Sequence, residues 1–179
     1  MTLKLLPACS ALLLWLWPWP SAAQTLRYDL YFKHSAELYA PWEDWHYFKA
    51  QGIAESDLNQ AARGSQGDTG IMQLMPATAR MLGVDATDAE QNIAGGIKYD
   101  ASLYRAWTAA RSVSDRRALM FASYNAGLGN IQKAAKQSAP LWDAVAKALP
   151  GITGPRAAVT TRYVASIARN YLICLGSAR

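Results

Sequence analysis

Along most of the chain apolar residues recur at three- and four-residue spacing, the repeat of an amphipathic helix. The pattern predicts helices over residues 26–39 and 42–55, and in the second Trp45, Phe48, Gly52 and Glu55 share one face. A carboxylate thus lies in line with an apolar stripe. Residues 56–70 are rich in Gly, Ser, Asn, Gln and Asp and read as a loop. Helical spacing resumes over 71–82, where Pro76 is tolerated only in a first turn or at a kink and Gly83 suits a C-cap. Thr87-Asp88-Ala89-Glu90 has the form of a capping box before a helix whose apolar side carries Ile93, Ile97, Leu103 and Trp107. Ser114 is placed to cap the next helix, which runs into Tyr124-Asn125-Ala126-Gly127. Two short amphipathic pieces are expected near 130–137 and 141–149, then a Pro150-Gly151 break. A final helix displays Val159, Tyr163, Ile167 and Tyr171 at spacings of four. No strand-like alternation of useful length and no internal repeat is present. The expected architecture is an all-α globule of about eight helices.

The N-terminus departs from this pattern. Lys4 precedes an apolar run from Leu5 to Trp19, with helix-breaking Pro18 and Pro20 at its end and small Ser21-Ala22-Ala23 after it, the grammar of a secretory signal peptide. The run is shorter than the roughly 20 residues that span a bilayer. The expected division is a signal peptide over 1–23 and one folded domain over 24–179, exported to the periplasm or cell envelope. A retained anchor is the alternative reading of the first segment. At 51% hydrophobic and 17% charged, the chain has enough apolar material for a core and lacks the composition of a disordered protein. Only Cys174 would remain after cleavage at Ala23, so no internal disulfide is expected, and its apolar surroundings predict a buried thiol. His34 and His46 are isolated, so no metal site or cofactor is expected. The net charge is +5 and the basic residues are scattered, with Arg116-Arg117 the only adjacent pair. That excludes a basic run for nucleic acid and fits the anionic polymers of an envelope.

Glu55 is the position with the most chemical content. It ends a helix beside Ile53 and Ala54 and precedes Ser56 and the polar loop, which places it at the edge of a cleft, half buried. Burial without a nearby cation raises a carboxyl pKa, and a group so tuned can stay protonated near neutrality and donate to a leaving oxygen. Gln73 offers both donor and acceptor, as sugar hydroxyls and acetamido groups require. Met72 and Met75 suit either a core or the apolar face of a sugar. Tyr124 and Asn125 precede glycines that let the chain turn, and Tyr163 stands on the last helix, within possible reach of Glu55 or of a ligand.

Four motifs in order, Glu55-Ser56, Gly70-Ile71-Met72-Gln73-Leu74-Met75-Pro76-Ala77-Thr78-Ala79, Tyr124-Asn125-Ala126-Gly127 and Thr161-Arg162-Tyr163-Val164, resemble those of the soluble lytic transglycosylase family and its lysozyme-like domain. The resemblance extends from about residue 45 to 171. It implies action on peptidoglycan glycan strands at the β-1,4 bond between N-acetylmuramic acid and N-acetylglucosamine, giving a 1,6-anhydromuramyl product. It makes Glu55 the single acid/base catalyst and puts Ser56, Gln73, Met75, Tyr124, Asn125 and Tyr163 along the substrate. Substrate assistance by the N-acetyl group removes the need for a second carboxylate.

Two positions depart from the family pattern. Gly64 stands where a Ser is usual, and Gly67-Asp68 replaces the usual Gly-Ala before the second motif. Asp68 lies thirteen residues after Glu55, where goose-type lysozymes, which share the fold, carry a second acid that helps hold water. It fits either that role or a cap on a helix beginning near Ile71. A lysozyme-type hydrolase using Glu55 and Asp68 therefore stands beside the transglycosylase. A catalytically idle glycan-binding scaffold of a secretion or conjugation apparatus is the third reading. In each case a monomer is expected.

Overall fold

The computed structural model of the chain describes residues 22–110 and 112–176, and the expected signal segment lies almost wholly outside them. Nine α-helices and one 3-10 turn account for the regular structure among the described residues. They are α1 (Ala22–Tyr39), α2 (Trp45–Ser56), α3 (Pro76–Leu82), α4 (Ala89–Ala106), α5 (Val113–Ala126), α6 (Leu128–Gln137), α7 (Trp142–Ala148), α8 (Pro150–Thr153), the 3-10 turn Gly154–Arg156 and α9 (Ala157–Gly176). No described residue forms a strand; two isolated bridges, Arg63 with Thr69 and Thr69 with Leu74, brace the loop after α2.

Asp44, Asp88 and Ser112 accept the first free N–H groups of α2, α4 and α5, and the starts of α3, α4 and α5 differ from expectation. Asp88, one residue after Thr87, caps α4 by accepting from the Gln91 N–H at 2.9 Å, because Thr87 is already bound to Asp85. Ser112 caps α5 by accepting from the Asp115 N–H at 2.9 Å, and Ser114 lies inside the helix. The helix expected over 71–82 begins only at Pro76, with Gly83 left-handed at its end. Residues 71–75 are a turn instead, since the Met72 N–H is taken by Asn92 and Gln73 adopts a left-handed φ of 45°. The Pro150-Gly151 break is a one-turn helix, for Pro fits a first helical position.

The core joins α1, α2, α4, α5 and α9 through buried Phe32, Phe48, Ile97, Leu119, Phe121 and Ile167. The Cys174 thiol is buried near its edge. Of the final-helix positions at spacings of four, Tyr163 and Ile167 are buried and Tyr171 partly so, whereas Val159 is 50% exposed. The adjacent basic pair is engaged within the fold. Arg117 forks onto Glu43 at 2.5 and 3.0 Å, and Arg116 lies over the Tyr104 ring. The long α9 runs along α2, and this pairing brings the last helix against the end of α2 that carries Glu55.

Candidate active site

Glu55 is in the final turn of α2. The helix stops one residue later, at Ser56, because Asp57 and Leu58 take left-handed φ values of 53° and 60°, and the Asp57 N–H closes onto the Ile53 carbonyl at 2.9 Å. The Tyr163 hydroxyl on α9 donates to the Glu55 carboxylate at 2.5 Å. Glu55 opens on a cleft of about 420 Å³, shared with Asp68, Gln73, Met75, Tyr99, Tyr124 and Asn125.

The wall opposite is the segment of Ile71 to Met75, which a buried Asn holds in place. Asn92 on α4 accepts from the Met72 N–H at 2.7 Å and donates to the carbonyls of Thr69 and Ala86 at 2.9 and 3.0 Å. A Cβ on Gly70 would meet the Asn92 amide nitrogen at 2.5 Å, so the close approach needs glycine there, as does its φ of 80°. The Ser56 hydroxyl donates to the Ile71 carbonyl at 2.8 Å and accepts from the Asn59 N–H, pinning the loop to the end of α2 and not lining the cleft. Met72 is fully buried, while Met75 is 40% exposed and lines the cleft. Gln73 also lines it, with its amide nitrogen held by the Gly70 carbonyl at 2.7 Å, which leaves its side-chain oxygen to accept.

At the end of α5, the Tyr124 hydroxyl donates to the Met72 carbonyl at 2.7 Å, tying the helix to the same wall, and Tyr124 lines the cleft. The Asn125 oxygen accepts from the Thr160 hydroxyl at 2.8 Å, so its amide N–H groups are the ones left for a ligand. Asp68 caps no helix: its carboxylate accepts from the Gln66 N–H at 3.3 Å within the loop, because α3 starts eight residues later. A Cβ at position 64 would fall 1.7 Å from the Asp68 Oδ2, so the two departures from the family pattern are one steric arrangement. With glycine at 64, the Asp68 carboxylate occupies the space a side chain would have taken.

Burial is the main reason that the Glu55 pKa is raised, to about 7. The Tyr163 hydrogen bond opposes the shift by favouring the charged carboxylate, and the negative charge of Asp68 adds to it. Behind Glu55 stands a second carboxyl that the sequence pattern did not single out. Asp100 on α4 is fully buried, neither of its oxygens has a hydrogen-bond partner among the described residues, and burial raises its pKa well above the ordinary value. Gln51, one turn before Glu55, offsets part of that penalty, although the two side chains do not meet in a well-formed hydrogen bond and the Gln51 amide has no other partner among the described residues. Asn92, Gln51 and Asp100 share one signal, a polar residue inside an otherwise apolar helix face. Among the described residues no cluster of His, Cys, Asp and Glu could hold a metal.

The family model described as Transglycosylase SLT domain matches residues 35–143, more than half of the chain. The chain belongs to this family. The SLT domain is 37% identical over 139 residues to a membrane-bound lytic murein transglycosylase F of Alteromonas mediterranea, covering 74% of this chain and 30% of that protein. Against the same-named protein of Maricaulis maris it is 33% identical over 144 residues, covering 76% and 31%. The chain thus spans about a third of the length of these relatives. Two solved structures share the fold. An inactive mutant of lytic transglycosylase Slt from Pseudomonas aeruginosa gives a TM-score of 0.66 at 22% identity, covering 89% of this chain and 25% of that one. The 70 kDa soluble lytic transglycosylase of Escherichia coli gives 0.63 at 23%, covering 83% and 24%.

Proposed function

We propose that this SLT domain cleaves the β-1,4 bond between N-acetylmuramic acid and N-acetylglucosamine in peptidoglycan, with Glu55 as acid and then base. The observation that carries the reading is a single half-buried carboxyl, raised to about 7, facing the cleft under a tyrosine hydroxyl. Protonated Glu55 gives its proton to the glycosidic oxygen as the C1–O bond breaks. The substrate's own acetamido carbonyl shields the positive charge at C1. The Glu55 carboxylate then takes the proton of the muramyl 6-hydroxyl, whose oxygen closes onto C1. The carboxyl is protonated again and no water is consumed. Tyr163 stabilises the intermediate carboxylate; Gln73, Asn125 and Met75 present polar and apolar surface to the sugars.

A hydrolytic outcome has a specific observation in its favour, because Asp68 lines the same cleft and its charge acts on Glu55. A water held by Asp68 would then replace the 6-hydroxyl as the attacking group. Mass spectrometry of digested sacculi separates the two: anhydro ends support the transglycosylase, and hydrated reducing ends support the hydrolase. A wild-type protein no more lytic than Glu55→Gln would leave only glycan binding. Export of the domain as a monomer to the periplasm or envelope, after removal of 1–23, completes the reading, and a secretion or conjugation apparatus is the setting in which a local wall cutter would serve. Among the described residues no helix is long and apolar enough to cross a membrane.

A further inference from the structure

The Glu55 cleft does not end at Asn125. A second groove of about 320 Å³ joins it there, and Asn125, Ala126 and Arg156 line both. The remaining walls of the second groove are the polar Asn130, Thr153 and Thr160 and the apolar Ile152 and Val159. Its volume lies at the low end of the roughly 300–1,000 Å³ that accommodates a small ligand.

Among the described residues, Arg156 is the one cation lining either groove. It is exposed, and no described carboxylate pairs with its guanidinium, whereas Arg117 and Lys49 both have acidic partners. Its backbone ends the 3-10 turn that contains Pro155, and the Thr160 hydroxyl, bound to Asn125 at 2.8 Å, also approaches the Arg156 carbonyl at 3.5 Å. The residue that sets the junction of the grooves therefore carries an uncommitted positive charge. Neutral sugars call for amides and hydroxyls, which the Glu55 cleft supplies. A planar guanidinium is suited to a carboxylate. In a wall glycan the carboxylates lie on the lactyl side group of the muramyl sugar, when it is free, and on the short acidic peptide otherwise attached there.

We propose that the second groove is a subsite for the acidic stem peptide of the substrate, with Arg156 taking a peptide carboxylate and Ile152 and Val159 packing on its small apolar side chains. The proposal rests on the peptidoglycan reading above and adds a specificity residue to it. Arg156 contacts substrate away from the reacting atoms, so its loss should act on binding and not on the chemical step.

The test compares wild type, Arg156→Gln and Arg156→Lys on glycan strands that keep their peptides and on strands stripped of them by an amidase, which frees the lactyl carboxylate. For Arg156→Gln on peptide-bearing strands, KM should rise about tenfold with kcat within about twofold, and Lys should restore part of the loss. Stripped strands should be cut by all three proteins with the same KM. An unchanged KM on peptide-bearing strands would overturn the proposal. An equal rise on both substrates would move the contact to the lactyl group and overturn the peptide assignment, and a fall in kcat on both would make Arg156 part of the fold or the chemistry instead. If wild type cuts neither substrate, the enzymatic reading fails by itself. Binding of a peptide-bearing muramyl fragment to Glu55→Gln, with and without Arg156→Gln, then decides this inference, and equal affinities would overturn it.

Discussion

Glu55 and Asp100 are both acids inside the fold, both raised by burial, and neither has a cation beside it. Glu55 faces a cleft and has a tyrosine donor at 2.5 Å; Asp100 is sealed between helices and has no hydrogen-bond partner among the described residues. The comparison separates two conditions that are easily merged. Burial makes a carboxyl hold its proton, but access and a donor for the charged form are what let it give the proton up and take it back. Asp100 meets the first condition and not the second. It is a burden on stability, whereas Glu55 meets both conditions for the acid/base role proposed for it.

The largest effect that could break this contrast is the loss of Glu55 itself. Glu55→Gln should lower lytic activity by about 10²–10⁴-fold, the usual weight of a general acid/base, while Asp100→Asn should retain most of it. Turbidity assays on purified sacculi read both. If Asp100→Asn were as inactive as Glu55→Gln while still folded, the two carboxyls would share the chemistry and the contrast would fail.

Stability should reverse the order of importance. A carboxyl whose folded pKa is raised contributes stability below its unfolded pKa, and that contribution is lost as pH rises through the folded value. Replacing Asp100 and its unpartnered neighbour together, in Gln51→Leu with Asp100→Leu, should stabilise the fold by about 1–3 kcal/mol near neutrality. The gain should be larger at pH 8 than at pH 4, and thermal unfolding across that range checks it. Glu55→Gln should show the same sign in the window from about 4.5 to 7, set by its own shift.

Smaller effects sharpen the account of how Glu55 is tuned. The Tyr163 hydroxyl favours the carboxylate and the Asp68 charge disfavours it, so the two neighbours pull in opposite directions. In the pH profile of kcat, Tyr163→Phe should move the alkaline limb to higher pH and Asp68→Asn should move it to lower pH. Gly64→Ala should follow Asp68→Asn, since a Cβ there would displace the carboxylate from the position it holds.

Glu55, the helical character of the chain and its cleft-side tyrosines were legible in the sequence because each rests on a short-range pattern: a carboxylate on an apolar stripe, a repeat of three to four, a motif of fixed spacing. What the pattern missed was decided by partners far along the chain. The helix expected from Ile71 is a turn because Asn92, twenty residues on, captures the Met72 N–H. Asp68 is in the cleft and not on a helix start for the same reason. Asp100 and Gln51 sit at helical positions that read as ordinary polar breaks, and only the tertiary packing that encloses α2 and α4 in one core buries them both. Arg156 was passed over because a lone cation in a Gly-Pro-Arg turn has no local signature; it gains meaning where two grooves meet.

The central claim is that Glu55 keeps its proton near neutral pH while remaining open to the cleft. Titration of the protein labelled with 13C in its glutamate carboxyls, followed by NMR and assigned by comparison with Glu55→Gln, reads this directly. The account predicts a midpoint for Glu55 near 7. A midpoint at the ordinary glutamate value of about 4.3 would contradict it.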